Sequence, residues 1–305
     1  MFAPPRRIPP HDRAVVVTGA SSGLGRACAL HLDQAGFRVF AGVRRSDDAL
    51  ALMAASSSGR LCPIKLDVTR EESIWKAAAR VAEQTDGEGL WGLVNNAGTC
   101  LSAPLECLSP EALRYQMETN LIGHFAVTRA FLPQTRKAEG RIINVTSGLG
   151  RIAGPYLGAY AATQFAKEGL SDALRRELKP FRVAVVVVQP GAISTPIWGK
   201  TREAAHDILG GAHDEVAELY RPSFLRFLER HEQWARSSTT HPENFARAVA
   251  HALTVRRPRT RYRVGRDAWA AGALARLLPD SLLDAAFSGV VVKGRAKARE
   301  SVAAR

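Results

Sequence analysis

From residue 14 onward, short β-branched runs alternate with longer stretches of helical spacing, the pattern of a parallel sheet covered by helices on both faces. The strands this predicts cover 14–18, 38–43, 62–65, 92–95, 141–146, 183–188 and 261–264. The run from Val183 to Val188 is apolar at every position, so it reads as a central strand buried on both sides. Helical spacing fills the intervals at 25–34, 71–84, 109–131, 159–177 and 242–253. The expected fold class is α/β, a doubly wound parallel sheet of Rossmann-like type in a single domain spanning 14–275.

The alternation breaks after Thr195. Between there and Pro242 lie two prospective helices, 202–209 and 214–234, in a segment that carries Trp198, Tyr220, Phe224, Phe227 and Trp234. An aromatic insertion after a sheet strand sits where ligands of open sheets bind, so 196–240 reads as a substrate lid; an ordinary helical appendage is the other reading. The tail from 276 to 305 is amphipathic and basic, with Leu277, Leu278, Leu282, Leu283, Phe287 and Val290 at approximate helical spacing. Such a segment covers a core, joins subunits or touches a membrane surface.

Length and composition narrow this picture. A chain of 305 residues with 46% apolar content can bury a large core. The first thirteen residues carry prolines and arginines but no apolar run, and are expected to be a disordered leader. Cys28, Cys62, Cys100 and Cys107 form no Cys-x-x-Cys pair and no zinc-type spacing, so the expectation is a cytoplasmic protein without metal. The net charge of +13 concentrates at the start, in Arg256 to Arg266 and in the tail. No aromatic stacking platforms interleave there, which argues against nucleic acid and leaves solvated surface, phosphate-bearing ligands or a peripheral membrane contact.

The candidate chemistry begins at Thr18-Gly19-Ala20-Ser21-Ser22-Gly23-Leu24-Gly25, which follows the first strand and opens the first helix. Glycines there let the backbone turn sharply and approach a pyrophosphate, whose charge meets free N–H groups at the helix N-terminus. Further along stand Asp67-Val68, Asn95-Asn96-Ala97-Gly98, Asn120, Ser147, Tyr160 thirteen residues later, and Pro190-Gly191 after the long apolar strand. In this order the motifs resemble those of the short-chain dehydrogenase/reductase family, strongly over about residues 14 to 200 and loosely beyond.

The resemblance implies a nicotinamide cofactor held by Gly19, Ser21, Ser22, Gly23, Leu24, Gly25, Asp67, Val68, Asn95, Ala97, Gly98, Tyr160, Gln164, Pro190, Gly191, Ile193 and Thr195. Asp67 is expected at the adenine amine, Asn95 and its neighbours at the adenine ribose, and the 190–195 loop at the nicotinamide carboxamide. Asp67 capping a turn and Asn95-Asn96 stabilising one are the purely structural readings. At the end of the second strand a carboxylate would select NAD. Here Val43 is followed by Arg44 and Arg45, which favours NADP.

The same resemblance makes Ser147 the group that polarises a carbonyl, Tyr160 the acid or base, and Asn120 the holder of a relay water. Gln164 stands four residues after Tyr160, where the family carries a lysine. A glutamine can hydrogen-bond a ribose but cannot lower the tyrosine pKa by charge. Lys167 lies on the same helical face, and its ammonium either supplies part of that charge or reaches solvent or another subunit. The segment 190–198 is similar to the branch containing retinol, hydroxysteroid and hydroxybutyrate dehydrogenases. That branch implies an apolar alcohol or ketone substrate and a homodimer or homotetramer. A catalytically impaired NADP-binding sensor or scaffold is the alternative.

Overall fold

The computed structural model describes residues 8–303, with side chains as far as Val291. The strands β1 (Ala14–Val17), β2 (Arg38–Val43), β3 (Leu61–Lys65), β4 (Gly92–Asn95), β5 (Arg141–Val145), β6 (Ala184–Pro190) and β7 (Arg261–Val264) form one parallel sheet in the order β3-β2-β1-β4-β5-β6-β7. All pairs are parallel, so every strand end that feeds a helix opens on the same edge. The order reverses between β1 and β4, which leaves a crevice outside their carboxyl ends. Pro63 lies in β3, an edge strand, where one side of the ladder needs no donor. Val185 to Val188 are buried throughout, as their unbroken apolar run predicts.

Helices α1 (Gly23–Gln34), α2 (Ser46–Ala55) and α9 (Pro242–Thr254) cover one face, and α3 (Glu71–Gln84), α5 (Gly123–Lys137) and α6 (Gly158–Glu177) the other. Two cores result. Phe37, Val39, Phe245 and Leu253 belong to the first, and Phe40, Ile64, Leu93 and Phe131 to the second. The predicted helix 109–131 is α4 (Pro110–Met117) continued into α5 through a π-helical turn at Glu118–Ile122. Its periodicity drifts only slightly across that turn, so the sequence shows one element. α2 was not predicted, since Ser46–Ala55 has a weak amphipathic pattern with only Leu52 buried.

The insertion after β6 forms α7 (Ile197–Gly211) and α8 (Asp214–Arg236), both longer than predicted. Phe224 is fully buried there and packs with Tyr156, Leu209 and Phe227 in a separate small core. The C-terminal region starts its helix earlier than residue 276, as α10 (Arg266–Leu277), and continues as α11 (Asp280–Ala303) against α8. Of the leader, residues 1–7 lie outside those described. Ile8 donates its N–H to the Thr254 carbonyl at the end of α9, so the stretch next to β1 is tied down.

Candidate active site

The turn from β1 into α1 is built by backbone approach. Gly19 has a φ of +65°, and a Cβ on it would stand 2.7 Å from the Ala97 Cα. Gly25 packs even closer, where a Cβ would meet the Gly19 carbonyl oxygen at 2.1 Å. Thr18 fastens this loop to the one after β4, because its Oγ1 accepts from the N–H groups of Asn96 and Ala97, each at 2.9 Å. Asn96 adds donors to the carbonyls of Thr18 and Gly19. Ser22 at the N-cap makes no side-chain capping bond, and the first turn of α1 carries no acid. The helix N-terminus therefore presents its N–H groups to the crevice, which fits a pyrophosphate.

Around this turn the sequence expectations divide. Asp67 accepts from the N–H and hydroxyl of Thr69 through Oδ1, which closes a local turn and uses one carboxylate oxygen. The Asn95 side chain is fully buried and donates to Thr128 Oγ1 and Asn144 Oδ1, so it braces β4 against α5 and β5. An alternating pattern places that side chain inward while its backbone faces the crevice. Val43 is buried at the end of β2, whereas Arg44 and Arg45 are exposed; Arg45 pairs with Asp47 at 3.2 Å.

Tyr160 and Ser147 meet at the floor of the crevice. Ser147 stands two residues past β5, accepts the Leu149 N–H and lines the cavity together with Tyr160. Below it, buried Glu168 gathers Thr146, Gln189, Arg151 and Arg261, which fixes the ends of β5 and β6. Asn120 sits in the π turn, a distortion frequent at functional sites. Its amide accepts from the Thr99 N–H and donates to the Thr99 carbonyl and, at 3.4 Å, to Thr163 Oγ1. The Asn120 side chain thus positions the walls of the site.

Gln164 is buried on the same helical face as Tyr160. Its Nε2 donates to Thr163 at 3.3 Å and its Oε1 has no partner. Burial pushes the Tyr160 pKa upward, Cys100 adds to this, and Ser147 opposes it; among the described residues no cation contributes. Lys167 does not reach solvent. Its ammonium is buried beside His124 and donates to the Val145 carbonyl at 2.6 Å. Desolvation lowers its pKa from 10.5 to about 7, with Glu168 opposing.

A stability prediction follows from that lysine. Between pH 7 and about 10 the unfolded chain holds a proton on residue 167 that the native chain has released, so this group favours folding more as pH rises. Lys167→Met should therefore be more stable than wild type below pH 7, with the gap narrowing from pH 7 upward and closing only above pH 10. Denaturant midpoints across this range read the effect, and a gap independent of pH refutes it.

Sequence reasoning did not find several residues that line the cavity beside Tyr160. Cys100 stands next to the phenol with its thiol pKa pushed up to about 12 by burial. Leu149, Leu157, His231, Asp267, Ala268 and Ala271 complete the walls with Trp198 and Trp234. His231 is stacked on Phe227 and meets both tryptophans edge-on, and its burial keeps the imidazole pKa low. Of the insertion's aromatics, only Trp198 and Trp234 face the cavity; Tyr220, Phe224 and Phe227 pack in the small core. The end of β6 contributes Pro190 to the cavity, and the loop after it contributes Gly191, Ile193 and Thr195.

Residues 13–206 match the short chain dehydrogenase family model. A 3-amino-tetrahydro-pyrrolizinone reductase of Xenorhabdus hominickii is 45% identical over 84% of this chain and 88% of its own. Human retinol dehydrogenase 16 is 37% identical over 90% and 87%. Among solved structures, a short chain dehydrogenase of Burkholderia cenocepacia in complex with NADP has a TM-score of 0.69 and 27% identity, covering 91% of this chain and 98% of its own. One from Burkholderia phymatum in complex with NAD has a TM-score of 0.74 at 21% identity, over 91% and 94%, and shares the fold. The match runs from β1 through the Ser147–Tyr160 pair into α7, and the chain belongs to the short chain dehydrogenase family, as an oxidoreductase of the alcohol–carbonyl pair.

Proposed function

We propose that this chain binds NADP(H) across the carboxyl edge of the sheet and interconverts an apolar alcohol with its ketone or aldehyde. The observation that carries the reading is the placement of Ser147 and Tyr160 together in a mainly apolar cavity between the glycine turn and the 190–195 loop. When bound, the nicotinamide supplies or accepts the hydride. Ser147 holds the carbonyl oxygen and Tyr160 delivers or removes its proton, while Trp198, Trp234 and Leu157 exclude water. Gln164 contributes an amide at the position of the family's lysine, and Asn120 holds the site's walls.

NADP over NAD is supported by Arg44 and Arg45 beyond buried Val43, where no carboxylate stands to repel a 2′-phosphate. Asp47 competes for Arg45, which leaves Arg44 as the better phosphate partner. The test is turnover of cyclic, steroidal and retinoid ketones with each cofactor. Wild type is expected to prefer NADPH by at least tenfold, and Arg44→Ala to lose most of that preference. Equal affinities for NADPH and NADH overturn the cofactor assignment; NADPH binding without turnover of any ketone or alcohol moves the sensor or scaffold reading ahead. The relatives described above carry dehydrogenase or reductase names, which favours turnover.

The segment 196–240 serves in this reading as a lid, supported by Trp198, His231 and Trp234 on the cavity wall. A homodimer or homotetramer is supported by exposed Tyr115, Ile122, Phe125 and Phe165 along α4 to α6. Peripheral membrane contact is supported by the outer side of α10, where exposed Trp269, Leu274 and Leu277 lie beside Arg266 and Arg276. No described helix is long and apolar enough to cross a membrane.

A further inference from the structure

We infer that Asp267, in the first turn of α10, is a positioning residue for the 190–195 loop, which makes the C-terminal helix part of the cofactor site. Its carboxylate is not spent on its own helix. Oδ2 accepts the N–H of Ala192, a residue 75 positions earlier in the chain. The loop is built around this contact. A Cβ on Gly191 would fall 1.9 Å from Asp267 Oδ1 and 2.2 Å from Oδ2, so only a glycine lets the carboxylate lie against the loop backbone. Gly265 meets it from the other side, with a φ of +106° and a Cβ position 2.5 Å from Oδ1. The carboxylate is therefore clasped between two glycine backbones on separate segments.

Among the described residues, three ties hold the 191–193 stretch of this loop. Gly191 donates to the Val264 carbonyl of β7 at 2.8 Å, Ala192 donates to Asp267, and the Ile193 carbonyl accepts from the Trp198 indole at 2.8 Å. The first continues the sheet and the last is made by the lid. Asp267 supplies the only one of the three with a charged acceptor, and charge-assisted bonds to backbone N–H groups are the stronger kind. Among the described residues no cation pairs with this carboxylate, so its charge is directed at the loop. Asp267 also lines the cavity with Ser147, Gly148 and Tyr160. Further along the same helix, Ala268 and Ala271 close the same cavity while Trp269 faces out. An acid in a helix's first turn commonly serves the helix dipole alone. That role would leave the loop indifferent to its loss, which gives the test its edge.

The inference rests on the reading that this loop holds the nicotinamide half of NADP(H). Two ligands separate the halves: NADPH spans both, whereas adenosine 2′,5′-bisphosphate occupies only the adenosine side. Isothermal titration of the full chain is expected to show Asp267→Ala weakening NADPH at least tenfold and adenosine 2′,5′-bisphosphate less than twofold. Asp267→Asn, which keeps an acceptor for the Ala192 N–H, should recover most of the NADPH affinity. Gly191→Ala, which drives a methyl into the carboxylate while keeping Asp267, should reproduce the selective loss and serves if Asp267→Ala folds poorly. Equal weakening of both ligands, or unchanged NADPH affinity, overturns the inference while leaving the proposed function standing. Wild type that binds neither ligand overturns the proposed function and this inference together.

Discussion

Tyr160→Phe should abolish ketone reduction and alcohol oxidation alike, lowering kcat by roughly a thousandfold while NADPH affinity stays within about threefold. The size follows from what the substitution removes. The ring still fills its place on α6 beside Cys100 and Leu157, so the cavity keeps its shape. Only the hydroxyl is lost, and with it the proposed proton donor and acceptor beside Ser147. Nothing nearby replaces it. Cys100 is the adjacent ionisable side chain, but a thiol is only a weak hydrogen-bond donor and would not hold the substrate oxygen as a phenol does. His231 belongs to the aromatic wall and its lowered pKa makes it a poor acid at neutral pH. Single-turnover mixing of variant, NADPH and ketone reads the chemical step directly; a loss smaller than about tenfold would mean that another donor protonates the product.

The sheet was legible because each strand carries its own signal. β6 announces itself through an unbroken apolar run, and β2 and β4 are bounded as predicted because turn chemistry follows them directly. The glycine turn was legible for the same reason, since Gly19 and Gly25 are demanded by local backbone geometry. What stayed hidden depends on residues distant in sequence. Asp267 carries no signal of its own in the sequence, where no helix is predicted at 266–275, and its meaning comes from Gly191 and Ala192 across the sheet edge. Lys167 has the helical phase of Tyr160, yet phase alone does not distinguish a side chain leaning along the helix from one driven inward to the Val145 carbonyl. Asn95 carries a family motif, but the parity of a strand end turned its amide inward. The lid's aromatics divided between cavity and core for a similar reason: Trp198 and Trp234 face the site, whereas Phe224 sits on the inner side of α8.

Gln164→Lys should raise alcohol oxidation at least tenfold near pH 7 and affect ketone reduction less. Oxidation needs Tyr160 as a base. With an unperturbed pKa of about 10, only about one part in a thousand of the phenol is ionised at pH 7, and burial in this site moves the balance further toward the neutral form. Among the described residues no cation contributes against that shift, and the Lys167 ammonium is bound to the Val145 carbonyl. An ammonium on residue 164, one helical turn from Tyr160, would favour the phenolate. A lowering by one to two pKa units corresponds to roughly 1.4–2.7 kcal/mol, enough for the stated gain. Reduction uses the protonated phenol and benefits less. The substitution sacrifices little, since Gln164 makes one long bond to Thr163 and leaves Oε1 without a partner. Its cost is a buried charge near Lys167, so thermal stability should fall, and the double variant with Lys167→Met should recover part of it. The diagnostic is the pH profile. Wild-type oxidation should climb through the alkaline range as Tyr160 ionises, whereas the variant should reach its plateau one to two pH units earlier. A profile that does not move, in a variant that folds and binds NADPH, would show that the charge at residue 164 does not govern the proton on Tyr160.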